Sequence, residues 1–206
     1  MALSWALAVL SLLPLLNAQS SSCVNFTVPI TNASLDQISG KWFYIASAYR
    51  SPEYKEWVSA YQSAFFYFDS NYTEDKILMR QYSTINHQCV YNSSHLKIQR
   101  ENGTLSGYDN GREHLCILIL TKDPSIFMLA FSPEDKQNMG LTFYADEPKV
   151  TPEQMRQFHE QVICMGMEKS EIVYVDEKQD QCEALHKEHE ERKKEKDAKS
   201  PKEGGK

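Results

Sequence analysis

Gly40-Lys41-Trp42-Phe43-Tyr44-Ile45-Ala46-Ser47-Ala48-Tyr49 opens on a glycine and continues as a proline-free run rich in aromatic and apolar residues, the composition of a strand. A glycine at its head lets the chain bend tightly into that strand. The Trp42 indole is large enough to plug the closed end of a barrel while its N–H finds a partner. Side chains alternate along a strand, so Trp42, Tyr44, Ala46 and Ala48 are expected on one face.

Working outward, residues 41–49 are the first of eight candidate strands, followed by 62–69, 76–83, 88–100, 104–108, 113–121, 126–131 and 139–145. Asp69-Ser70-Asn71, Asn102-Gly103, Asp109-Asn110-Gly111, Lys122-Asp123-Pro124 and Ser132-Pro133-Glu134-Asp135 stand between them as turn chemistry. Short connections predict an all-β, eight-stranded antiparallel up-and-down barrel, and about eight strands enclose room for one small ligand. The longer gap at 50–61 is expected to hang over one barrel mouth as a loop-like lid. A helix over 152–165 follows, with Thr151 as N-cap, Pro152 in its first turn and Gln154 completing a capping box. Its apolar stripe of Met155, Phe158, Val162 and Met165 predicts one C-terminal α-helix packed outside the barrel, and 171–175 reads as a last short strand.

The chain carries a net charge of −6, which excludes a general nucleic-acid binder because no basic patch is left for phosphates. A mean hydropathy of −0.53, with no apolar run near 20 residues beyond the N-terminus, excludes stable membrane insertion. Residues 1–18 carry no charged side chain, are apolar from Trp5 to Leu16 and read as a secretory signal peptide cleaved after Ala18. Residues 19–182 are then one barrel domain. From Glu183 onward the composition turns to 8 basic and 7 acidic residues, a solvated helical or disordered tail over 183–206.

An oxidising compartment pairs thiols, yet there are five cysteines, Cys23, Cys89, Cys116, Cys164 and Cys182, so one is left over. Cys116 lies in the most apolar strand-like run, His114 to Leu120, and suits an unpaired buried thiol. Pattern alone does not choose the pairs among the other four. Five Asn-x-Ser/Thr acceptors, Asn25, Asn32, Asn71, Asn92 and Asn102, are expected on the surface, with at least three glycosylated.

No Gly-x-Ser-x-Gly, His-Glu-x-x-His or phosphate-cradling glycine loop occurs, and no cofactor is expected. His186 and His189 can share a helix face, but without a third ligand they do not predict a metal site.

Gly40-Lys41-Trp42, with a meander and a late helix after it, resembles the lipocalins and their Gly-x-Trp signature. Tyr144-Ala145-Asp146 looks like a degenerate second motif of that family. Residues 40–48, Glu101-Asn102-Gly103-Thr104, Met128-Leu129-Ala130-Phe131 and the Lys/Glu-rich tail extend the resemblance over essentially the whole chain. It implies a secreted, monomeric blood-plasma transport protein with an acute-phase immunomodulatory role and no catalytic activity. Its partners would be small lipophilic molecules such as drugs, steroids and lipids, often basic or neutral.

The strands are apolar on both sides, so pattern leaves the inward faces open. Phe66 and Phe68 oppose Phe65 and Tyr67, while Phe127, Leu129 and Phe131 oppose Met128 and Ala130. The resemblance implies Tyr44, Tyr54, Phe66, Phe68, Leu96, Leu105, Leu129, Phe131, Thr142 and Tyr144 as cavity lining, and disulfides Cys23–Cys164 and Cys89–Cys182 with Cys116 free. This sequence departs from the family pattern at Gly107, where a basic residue is expected, and at Gln81, where a pocket carboxylate is expected. Two other readings stay open. One lipocalin branch, the prostaglandin D synthases, uses a cavity thiol as nucleophile, which here would be Cys116 with His114 on the same face, although apolar flanks raise a thiol's pKa. The other is a glycan-mediated immune interaction protein.

Overall fold

The computed structural model describes residues 28–109, 112–132 and 135–199. Cys23, Asn25 and the expected signal peptide lie outside the described residues.

Among the described residues, nine strands form one antiparallel sheet: β1 (Gly40–Tyr49), β2 (Tyr61–Asn71), β3 (Lys76–Ile85), β4 (Gln88–Gln99), β5 (Thr104–Asp109), β6 (Arg112–Leu120), β7 (Ile126–Phe131), β8 (Gly140–Ala145) and β9 (Ile172–Tyr174). β2 to β8 follow in sequence order, and β1 pairs with both β8 and β2, closing eight strands into a barrel. The closure is shared, because β2 holds β1 only from Gly40 to Phe43 and β9 pairs with Ala46 to Ala48 further along.

The first strand corrects one expectation. Tyr44 pairs with Tyr144 but Ala46 pairs with Phe143, so Ile45 is an extra residue and β1 carries a β-bulge. One extra residue exchanges the faces beyond it. Trp42 and Tyr44 point into the barrel, whereas Ala46 and Ala48 join the cluster outside it and Tyr49 joins the interior.

The segment at 50–61 is helical rather than a loop: α2 (Pro52–Ser59) follows Ser51, with Pro52 in its first turn. A short helix α1 (Asn32–Ile38) also precedes β1, begun by Thr31 and Ser34, whose side chains each bond the other's backbone N–H at 3.1 and 3.2 Å.

The expected helix packs outside the barrel, and among the described residues the charged tail adds a second. α3 (Pro152–Cys164) has the expected Thr151–Gln154 capping box and buries Phe158 and Val162. The Phe158 ring stacks on Phe143 of β8 at 5.1 Å, and Gln154 reaches Asp123 and Ser125 of the β6–β7 connection. α4 (Glu183–Lys199) is the charged tail. It docks on β2 and β3 through Phe65, Tyr82 and Cys182, which cluster on the outer wall. Cys182, just ahead of α4, forms a disulfide with Cys89 at the start of β4. Cys164 is also disulfide-bonded. Cys116 is a buried free thiol.

Candidate ligand-binding site

One end of the barrel is shut by Leu35 and Ile38 of α1 and by Trp42, whose Nε1 donates to the Ile38 carbonyl at 2.8 Å and whose ring meets Phe127 edge-on at 4.8 Å. Gly40 turns the chain from α1 into β1 with φ of +105°, a backbone region that L side chains rarely adopt. At the other end α2 places Tyr54 against Tyr49, with ring centres 5.7 Å apart.

Between these ends the interior is aromatic. Tyr44, Phe66 and Phe68 from β1 and β2 meet Phe127 and Tyr144 from β7 and β8. Tyr44 and Tyr144 are 5.7 Å apart, Phe66 and Tyr144 5.4 Å, and Phe127 stacks on Tyr144 at 4.8 Å. These rings are edge-on or stacked, both favourable arrangements. Leu96, Leu105 and Leu129 complete the same cluster, with Phe131 and Tyr54 partly buried against it. Thr142 is buried one step from Tyr144 on the same face of β8 and donates to the Leu129 carbonyl at 3.4 Å. The fold thus gathers all ten expected lining residues around one interior.

Sequence reading missed Tyr49 and Tyr61 as interior residues. Tyr49 is turned inward by the Ile45 bulge, for which single-strand alternation carries no signal. Tyr61 sits at the head of β2 and accepts a hydrogen bond from Gln81 Nε2 at 2.9 Å. Gln81 also donates to Ser83 at 2.7 Å, so the expected carboxylate position is a neutral, internally satisfied amide. The other departure, Gly107, leaves room that Leu96 takes, since a Cβ there would stand 2.9 Å from Leu96 Cδ2.

Two interior hydroxyls are left over. Tyr44 Oη and Ser47 Oγ are buried and face each other, and among the described residues neither is held by a hydrogen bond of good geometry. Burial holds the Tyr44 and Tyr144 phenols well above their ordinary pKa, so both stay neutral donors. Burial likewise pushes the Cys116 thiol up to about 12, outweighing the hydrogen bond to its sulfur from the Leu105 backbone. His114 points to Tyr54, its Nδ1 lying 3.4 Å from the phenol oxygen.

Residues 39–179 match the model of the lipocalin / cytosolic fatty-acid binding protein family. The chain belongs to the lipocalin family. It is 53% identical to the alpha-1-acid glycoprotein of Oryctolagus cuniculus over 201 residues, 97% of this chain and 100% of that protein. The Bos taurus protein of the same name is 54% identical over 201 residues, covering 96% and 100%. Alpha-1-acid glycoprotein 1 of Mus musculus is 46% identical over 184 residues, covering 88% and 89%. Among solved structures, the siderocalin Ex-FABP, described as acting through dual ligand specificities, superposes with a TM-score of 0.55 at 14% identity, covering 68% of this chain and 93% of its own. That likeness concerns the fold.

Of the five Asn-x-Ser/Thr triplets, those at Asn32, Asn71, Asn92 and Asn102 lie among the described residues, and their asparagines are exposed, at the start of α1, the end of β2, within β4 and in the β4–β5 turn. No described helix is long and apolar enough to cross a membrane.

Proposed function

We propose that this lipocalin is a secreted plasma carrier that holds one small lipophilic molecule reversibly inside the barrel and releases it unchanged, as a monomer glycosylated at its exposed sequons and produced as an acute-phase, immunomodulatory protein. The observation that carries the binding reading is the pair of adjacent buried hydroxyls, Tyr44 Oη and Ser47 Oγ, which no well-formed hydrogen bond among the described residues satisfies, set in an aromatic interior. A buried hydroxyl without a partner costs ~1–3 kcal/mol, and a ligand carbonyl, ether or hydroxyl placed between them recovers part of it. Aromatic walls supply the remaining affinity through burial at ~25 cal/mol per Å².

Gln81 in place of a carboxylate means that this part of the wall offers no counter-charge, so neutral ligands such as steroids are favoured over strong bases. The drugs and lipids in the expected range would bind by the same apolar contacts. A carrier is favoured over a thiol isomerase because a thiol with a pKa near 12 is not a nucleophile at neutral pH.

Titration of tryptophan fluorescence with a neutral steroid tests the site. Phe131→Ala is expected to weaken binding by ~1–3 kcal/mol, roughly 5- to 150-fold, with Tyr67→Ala near wild type in affinity because Tyr67 faces α4 outside the barrel. Unchanged affinity in Phe131→Ala together with loss in Tyr67→Ala overturns the interior site. Incubation with a prostanoid and free thiol tests the carrier reading. Turnover that disappears in Cys116→Ala overturns it.

A further inference from the structure

A second recess lies outside the barrel, between α4 and the β3–β4 hairpin. Its helical wall is His189, Arg192, Lys193 and Lys196, spaced three, four and seven residues from His189, so all four occupy one face of α4. The facing wall is Arg80 and Tyr82 of β3 with Tyr91 of β4, and the recess is an open surface groove of about 340 Å³. That volume is at the lower end of small-molecule pockets, ~300–1,000 Å³.

The charges of this recess are not equally free. Arg80 is held by Asp69 at 3.1 Å and Glu190 at 3.3 Å, and Arg192 by Glu188 at 2.5 Å. Lys193 and Lys196 have no acidic partner among the described residues. The Arg192–Lys196 pair is also a like-charge i,i+4 pair, which destabilises a helix by ~0.2–0.5 kcal/mol. A chain of net charge −6 thus keeps two unpaired cations, Lys193 and Lys196, on one helix face beside aromatic rings.

Those rings also differ. Tyr82 is stacked on Phe65 at 4.9 Å, and its hydroxyl is 2.9 Å from His189 Nδ1. Tyr91 is 37% exposed and meets His189 edge-on at 4.6 Å, which leaves part of its ring open to the recess.

We propose that this recess is a second binding site, separate from the barrel interior, for a small molecule in which a flat ring carries a sulfate or phosphate group. The ring lies against Tyr91 and the oxyanion sits between the Lys193 and Lys196 ammonium groups, with Arg192 at its edge. A free anion gains little here, because exposed ion pairs contribute only ~0–1 kcal/mol each. Joining the anion to a ring adds apolar contact without new ordering of the protein. β3 itself separates the two sites, with Gln81 bonded on the interior side and Tyr82 on the outer side.

The test is calorimetric titration of the full glycosylated protein with 4-nitrophenyl sulfate and, separately, 4-nitrophenyl phosphate, using inorganic sulfate and phosphate as ringless controls. At least one aryl ester is expected to bind at millimolar concentration or better, more tightly than its inorganic ion, and more weakly as salt rises. Lys193→Gln/Lys196→Gln is expected to reduce that affinity about fivefold or more, the effect of two exposed ion pairs, and Tyr91→Ala to reduce it as well. Phe131→Ala is expected to leave it unchanged. Circular dichroism of the lysine variant checks that α4 is retained. Preference for one ester tells a sulfated from a phosphorylated ligand and supports the site either way. No binding of either ester, equal affinity in the folded lysine variant, binding no tighter than the inorganic ion, or loss on Phe131→Ala overturns it.

Discussion

The Tyr67 hydroxyl stands 2.7 Å from His186 Nε2, and this contact ties the outer face of β2 to α4. The His186 ring stacks on Tyr67 at 5.4 Å and meets Phe65 and Tyr82 edge-on. Histidines that sequence reading weighed as metal ligands therefore serve as the helix's aromatic anchors.

That anchor is sensitive to acid. Burial lowers the His186 pKa first, Lys41 of β1 and Arg80 of β3 lower it further with a smaller contribution from His189, and Glu190 opposes them. The folded state therefore prefers neutral His186, so its contribution is fully present above the unfolded value of ~6.5 and is lost as pH falls through that value and below. Hydrogen exchange of the α4 amides, corrected for intrinsic rates, is expected to accelerate between about pH 7.5 and 5.5 in the wild type and to do so less in His186→Gln. Equal acceleration in both proteins would refute the assignment.

The Cys89–Cys182 bridge closes a loop with a sequence separation of 93. In the chain-entropy model its removal costs ~4–5 kcal/mol. Urea unfolding of Cys89→Ser/Cys182→Ser is expected to show a lower midpoint, and α4 is expected to exchange faster than the barrel strands. Non-reducing peptide mapping is expected to place Cys164 with Cys23.

Thiol reactivity is a separate check. A buried Cys116 with a pKa near 12 is expected to react with an aromatic disulfide reagent at the global unfolding rate, not at the rate of an exposed thiol. Rapid labelling of the native protein in mild alkali would contradict its burial.

Gly40 has φ of +105°, and a Cβ added there would meet nothing within 4 Å, so Gly40→Ala introduces backbone strain without a clash. The expected loss is ~1–3 kcal/mol, read as a lower Tm with the ligand-bound spectrum unchanged.

Tyr49 provides the sharpest test of the bulge. Simple alternation puts it on the face opposite Trp42, whereas its ring lies 5.9 Å from Phe131 in the interior. Tyr49→Ala is expected to weaken steroid binding by ~1–3 kcal/mol, and an affinity equal to wild type would return Tyr49 to the outer wall.

Much of the architecture was legible because it rests on local chemistry. Turn residues punctuate the chain at nearly every strand end, and Thr151, Pro152 and Gln154 mark the start of α3 through contacts three residues apart. The lining set came through family resemblance, since strands apolar on both faces do not say which side is inward. α1 and α2 went unread because a seven- or eight-residue helix shows barely two turns of periodicity. α4 was read only as helical or disordered because it docks by histidine–tyrosine contacts and a disulfide rather than by an apolar stripe.

By itself the sequence determined the strand count, the helix after the barrel and the odd thiol, since each follows from neighbours a few residues apart. Only the tertiary structure decided which face of β1 looks inward past Ile45 and where the charged tail lies. Both depend on partners distant in sequence: the offset between Tyr44–Tyr144 and Ala46–Phe143 sets the bulge, and Cys89, Tyr67 and Tyr82 capture α4. A side-chain period of two records the local alternation of a strand, but a single extra residue reverses it, and that residue is visible only against the strand beside it.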